Sequence, residues 1–151
     1  MLRVVNKIFP VLLAALLLVS CGTSRQTVVT PDPADAFVGY YSFVDNYTSV
    51  LMGQPRQLVN EGFIRMEKIA PNQLRLSGAW TTVAIVEGGN LTLASEMQSN
   101  ESGYINYIFE PVTVVGSKLH FIYYGEGAMN LAGAACPWTI NGVVEAKRQY
   151  K

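Results

Sequence analysis

The chain is sparing with residues that do chemistry. Its 151 residues include two cysteines, Cys21 and Cys136, and one histidine, His120. A thiol nucleophile needs a neighbouring group that lowers its pKa, and a zinc site needs three or four nitrogen or sulfur ligands. Cys136 and His120 are separated by a glycine- and alanine-rich stretch, with no catalytic signature around either. No Gly-x-Ser-x-Gly elbow, phosphate-cradling glycine loop or His-Glu-x-x-His helix occurs. The carboxylates are scattered singly, so neither a hard-metal cluster nor an acid pair for glycoside chemistry is visible. The expectation is a protein that is not an enzyme and uses neither metal nor cofactor. Cys136 reads as a small buried apolar side chain and His120 as a surface strand residue.

Cys21 stands in a different context. Arg3 and Lys7 are the only charges before it, and residues 8–19 are apolar throughout, ending in the stretch LLLVSCG. A charged start followed by an apolar run is the order of a secretory signal, and this run is too short to cross a bilayer as a helix. Leu18-Val19-Ser20-Cys21 resembles the lipobox of bacterial lipoproteins. That resemblance implies a diacylglyceryl group on the Cys21 thiol, removal of residues 1–20, and acylation of the new amino terminus. One acyl chain holds a protein to a membrane only marginally, whereas two or more hold it stably. The implied address is the bacterial cell envelope, anchored by acyl chains to the outer membrane. With Cys21 carrying lipid, Cys136 has no partner for an intrachain disulfide.

Residues 21–35 read CGTSRQTVVTPDPAD, a small, hydroxylated and acidic stretch with two prolines, expected to be an extended tether. Residues 36–151 are expected to form one domain. Without Arg3 and Lys7, nine basic face eleven acidic side chains, a balance that offers no electrostatic footprint for nucleic acid.

What must position any site is a β-sheet. From residue 37 on, glycine and proline punctuate short runs rich in Val, Ile, Thr, Tyr and Phe, with no sustained helical spacing. Strands are expected over residues 37–47, 61–69, 74–80, 82–86, 91–94, 104–115, 119–124 and 138–148. Pro71-Asn72 and Gly88-Gly89 mark tight turns, and loops are expected around Gly53-Gln54-Pro55, over 98–103 and over GEGAMNLAGAA. The spacing predicts an all-β, antiparallel up-and-down meander of about eight strands, closing into a barrel because closure removes exposed strand edges. The strands read as mostly shorter than the 9–11 residues of a membrane-spanning barrel. Period-two alternation places Tyr41, Phe43, Leu74, Leu76, Trp80, Leu91, Leu93, Phe121, Tyr123, Trp138 and Ile140 inside, enough bulk to fill the middle of an eight-stranded barrel.

A lipobox, a Pro-rich tether, the opening Gly39-Tyr40-Tyr41, a glycine-punctuated meander and a closing strand with Gly142 and Arg148 together resemble the small lipocalin-like (calycin-type) lipoproteins of bacterial envelopes. Lipocalins carry a Gly-x-Trp in the first strand, with a basic residue from the end of the barrel packed on the tryptophan. Tyr41 stands at that position here and Arg148 is its candidate partner. The resemblance implies a non-enzymatic protein that binds a small apolar or amphipathic ligand, or a glycan end, at the barrel mouth. Tyr41, Trp80, Tyr123 and Trp138 are the candidate ligand-binding residues. A second likeness, of Ser77-Gly78-Ala79 to the inhibitory loop of membrane-anchored lysozyme inhibitors, implies a protein target. Both alternating faces of residues 119–124 are apolar or aromatic, which suits a subunit that displays its sheet to an envelope partner.

Overall fold

The computed structural model describes residues 30–150. Cys21, the signal of residues 1–20 and the tether up to residue 29 lie outside the described residues, as does Lys151.

The described chain is all-β and antiparallel. After a 3-10 helix, Pro33–Phe37, ten strands follow: β1 Gly39–Leu51, β2 Gln54–Ala70, β3 Gln73–Ser77, β4 Thr82–Glu87, β5 Asn90–Leu93, β6 Glu96–Asn100, β7 Gly103–Phe109, β8 Thr113–Val115, β9 Lys118–Leu131 and β10 Ala134–Gln149. They form one curled sheet in the order β5-β4-β3-β2-β1-β10-β9-β7-β6, with β8 pairing the lower part of β9. First and last strands are therefore neighbours in the middle, and the edges are β5 and β6. These edges share no ladder; the backbone link between the two flanks is the Leu91–Val112 bridge, where Val112 N donates to Leu91 O at 3.0 Å.

Turn chemistry sets the strand ends. Met52-Gly53, Gly88-Gly89 and Ala132-Gly133 each place two consecutive residues at positive φ, as the tight two-residue hairpin requires. The Pro71-Asn72 turn forms where expected, with Asn72 at φ 58. Three expected boundaries are corrected. The loop expected over 98–103 shrinks to a turn at Glu101-Ser102, because polar Glu96–Asn100 is the edge strand β6, and a one-sided edge needs little apolar character. The stretch GEGAMNLAGAA is not a loop; β9 and β10 run through it and turn only at Ala132-Gly133. Its glycines fit because the backbones crowd there: a Cβ on Gly127 would lie 1.9 Å from Tyr104 O. Residues 104–115 divide at Pro111 into β7 and β8, since proline has no N–H for the ladder.

Four strands, β1, β2, β9 and β10, have 13, 17, 14 and 16 residues, longer than the sequence reading expected. Length alone would let them cross a bilayer, yet their outer face carries Glu61, Glu145, Lys118, Lys147 and His120 together in one groove. No helix among the described residues is long and apolar enough to cross a membrane.

The inner face is the core. Registers align Phe43 with Gly62 and Ala146, and Phe121 with Val144, so inward residues meet row by row. Trp80, 4% exposed, sits in their midst with ring centroids of Phe43, Phe109, Phe121 and Tyr123 at 5.3–6.3 Å. Edge and tilted ring contacts of this kind add to the large area that aromatics bury. At the β10 terminus the 3-10 helix is tied on: Tyr41 Oη donates to Phe37 O at 2.9 Å, and Arg148 donates to Ala36 O at 2.9 Å and to Val38 O. Lys68 pairs at 2.9 Å with Asp32, which caps the helix, and at 2.7 Å with Asp35 within it, and these exposed pairs hold Lys68 above and Asp32 below their ordinary pKa values through hydrogen bonding.

Candidate functional site

The short strands end level with the aromatic cluster, while β2, β1, β10 and β9 run on. Only residues 65–70 of β2 pair with β3, so Gln54–Ile64 is bonded to β1 alone. The inner face is consequently open along this side: Asn60, opposite Asp45, is exposed, and Leu58, opposite Tyr47, is 43% exposed. Across the half-barrel a cavity of about 400 Å³ is lined by Gln98 of β6, Ile105 of β7, Met129 of β9 and Trp138 of β10. That is the size range of small-molecule sites.

The inner face also carries two acids, neither of which lines that cavity. Asp45, 3% exposed, accepts a 2.9 Å hydrogen bond from Tyr123 Oη at Oδ2, while its Oδ1 is buried with no partner among the described residues. Burial raises its carboxyl to about 6, against the lowering effect of the Tyr123 bond. Glu96 Oε1 accepts from Thr81 N at 3.0 Å and Gln98 Nε2 at 2.9 Å, and its Oε2 is buried with no partner among the described residues. Tyr107, Cα partner of Glu96, lies between the acids: burial first, then the charges of Glu96 and Asp45, raise its phenol. Tyr123 is raised by burial and by the Asp45 charge. Its ring meets that of Tyr107 edge-on at 5.7 Å and crosses Gly142, where a Cβ would come within 2.5 Å of the ring. Glycine at 142 is therefore what lets a β9 side chain reach an acid on β1.

The expected site residues fall into three places. Trp80 and Tyr123 are together, 5.3 Å apart, but are buried in the filled middle. Tyr41 is at the closed end beside Arg148, its Cα partner, away from the opening. Trp138 alone lines the cavity, its indole Nε1 donating to Ser49 Oγ at 2.8 Å. Ser77 ends β3, and Gly78-Ala79 form a tied-down connection in which Ala79 O accepts from Gln98 at 3.4 Å. Cys136 is buried beside the tip of the β9–β10 hairpin, and His120 is exposed on β9. Among the described residues no group of three or more His, Cys, Asp or Glu is placed to hold a metal ion.

The sequence reading missed Asp45, Glu96, Tyr47 and Tyr107. Asp45 was detectable, since it occupies an inward position in the alternation Tyr41, Phe43, Asp45, Tyr47. Glu96 and Tyr107 were not, because the first depends on recognising a polar edge strand and the second on which face of β7 turns in.

No protein-family model and no curated protein matches the chain.

Proposed function

We propose that this chain is a lipid-anchored, non-enzymatic binding protein of the bacterial cell envelope, with a lipocalin-like barrel that takes a small amphipathic ligand at its open end. One observation carries the reading: two carboxylate oxygens, on Asp45 and Glu96, are buried with no hydrogen-bond partner among the described residues. Burying such an acceptor unpaired costs about 1–3 kcal/mol or more, so native proteins keep few without reason. The lipocalin likeness is supported by the pairing of first and last strands and by Arg148 clamping the helix next to Tyr41. The anchor is supported by the lipobox at Cys21 alone. In a titration of the full chain in detergent micelles, tryptophan emission should respond saturably to a ligand seated at Trp138. Trp138→Phe should abolish that response while leaving Trp80 emission in place. A Cys21→Ser variant should lose detergent partitioning once the signal is removed; retention would reject the anchor.

A second reading, a subunit that docks its outer face on an envelope partner, is favoured by a groove of about 740 Å³ across β2, β1, β10, β9 and β8. Its floor includes Val44 and Phe63, the latter 67% exposed. Phe63→Glu should then abolish copurification of an envelope partner without changing ligand binding at the mouth.

A further inference from the structure

We propose that this chain pairs with a second copy of itself through the free edge of β2, residues 54–62 running antiparallel to the same residues of the other copy. An edge strand presents unpaired N–H and C=O groups to any strand that reaches them, and natural sheets keep such edges short, charged or bulged. The terminal strands obey this, β5 with four residues and β6 with a polar five. The first half of β2 does not. Its register with β1 runs unbroken over residues 54–66, β3 joins it only from Arg65, and every residue over 54–61 is exposed. Lysine is absent from the stretch, and Pro55, the residue type that blunts an edge, stands next to its start.

Ladder parity shows which backbone groups are on offer. The two-residue turn Met52-Gly53 pairs Leu51 with Gln54, so even-numbered residues of β2 bond β1 and odd-numbered ones face away. Phe63 obeys the same parity: its carbonyl oxygen lies toward Gly78, where a Cβ would come within 2.4 Å of it. Gly78 thereby closes the edge beyond Gly62. Pro55 with its C=O, and Gln57, Val59 and Glu61 with both groups, remain for a partner.

The side chains fit the strand to itself. The register that uses the whole stretch has its two-fold axis at Leu58, which sets Gln57 opposite Val59, Arg56 opposite Asn60 and Pro55 opposite Glu61, each twice. Leu58, 43% exposed, then meets its own counterpart in a non-hydrogen-bonded pair, where facing side chains are closest. Val59, 63% exposed, is covered by Gln57 and diagonally by the other Val59. Neither Arg56 nor Glu61 is set opposite a like charge. No residue of β2 lines the cavity at Trp138, so pairing and ligand binding are separately readable.

The test is sedimentation velocity of the full chain in density-matched detergent micelles, with amide hydrogen exchange followed across a concentration series. A dimer is expected, and exchange over residues 54–62 should slow as it forms while residues 96–100 keep their rate. Val59→Pro removes an N–H that β1 does not use, so it should leave near-ultraviolet circular dichroism intact. It should weaken the dimer by roughly ten- to hundredfold, the worth of the two hydrogen bonds that symmetry deletes with it. Val59→Lys keeps the N–H, sets two cations diagonally across the axis, and should also weaken the dimer. A monomer at every concentration overturns the proposal; protection already present over 54–62 in that monomer would make residues 21–29 of the same chain the occupant. A dimer indifferent to both variants overturns the edge, as does one whose new protection falls on Val44 and Phe63 of the outer groove.

Discussion

A carboxylate on an apolar face burdens the fold, and Asp45 is such a residue. Its folded-state pKa of about 6 lies above the 3.8 of a carboxyl in an unfolded chain, so the native state prefers the proton. Stability from this group is therefore full below the unfolded value and is lost as pH rises toward the folded one. At about 1.4 kcal/mol per unit, the loss is about 3 kcal/mol between pH 4 and pH 6, and flat above. Thermal melts across that range should show this descending segment, and Asp45→Asn should flatten it whatever it does to the absolute melting temperature. A profile as steep in the variant as in the native chain would mean that another group titrates there. At this scale the sequence was partly readable: the inward alternation that named Tyr41 and Phe43 also passes through Asp45. The Tyr123 bond was not readable, because it spans two strand spacings and depends on the missing side chain at Gly142.

Among the elements, hairpins with strong turn signals were legible and those built from weak strand formers were not. Pro71-Asn72 and Gly88-Gly89 announced themselves, whereas the β9–β10 hairpin carries Gly125, Gly127, Ala128, Ala134 and Ala135, which intrinsic preference assigns to loops. Pairing overrides preference there, since β9 lies between β10 and β7 and has partners on both edges. The 3-10 helix depends on side chains from other elements. Removing the guanidinium in Arg148→Gln withdraws donors from the carbonyls of Ala36 and Val38, and it should lower stability by about 1–3 kcal/mol in denaturant titration. The same variant should leave ligand binding at the far end unchanged. A loss of binding in Arg148→Gln would show that the two ends are coupled.

At the scale of the whole molecule, a filled middle separates a tied closed end from an open one. Trp80 is the hub of that middle, and Trp80→Ala should cost about 3–5 kcal/mol, more than any surface change, read as a shifted denaturant midpoint. With Cys21 acylated as proposed, Cys136 is a lone thiol, so the melting temperature should be the same with and without reductant. A drop of several degrees on reduction would contradict the anchor and the arithmetic together. The bulk of the core was legible from alternation, which placed ten of the eleven named inward residues in the buried set and left Trp138 at the rim. The openness was not legible, because it arises from the mismatch between seventeen-residue β2 and five-residue β3, and strand length is hidden when the extra residues are as polar as Gln54, Arg56 and Gln57. That mismatch has a bearing on time. Where one side of a site has no strand bonded across it, a guest enters without any ladder having to break. Its arrival rate should follow diffusion with a shallow temperature dependence, and its residence is set by the contacts it makes rather than by a door that closes behind it.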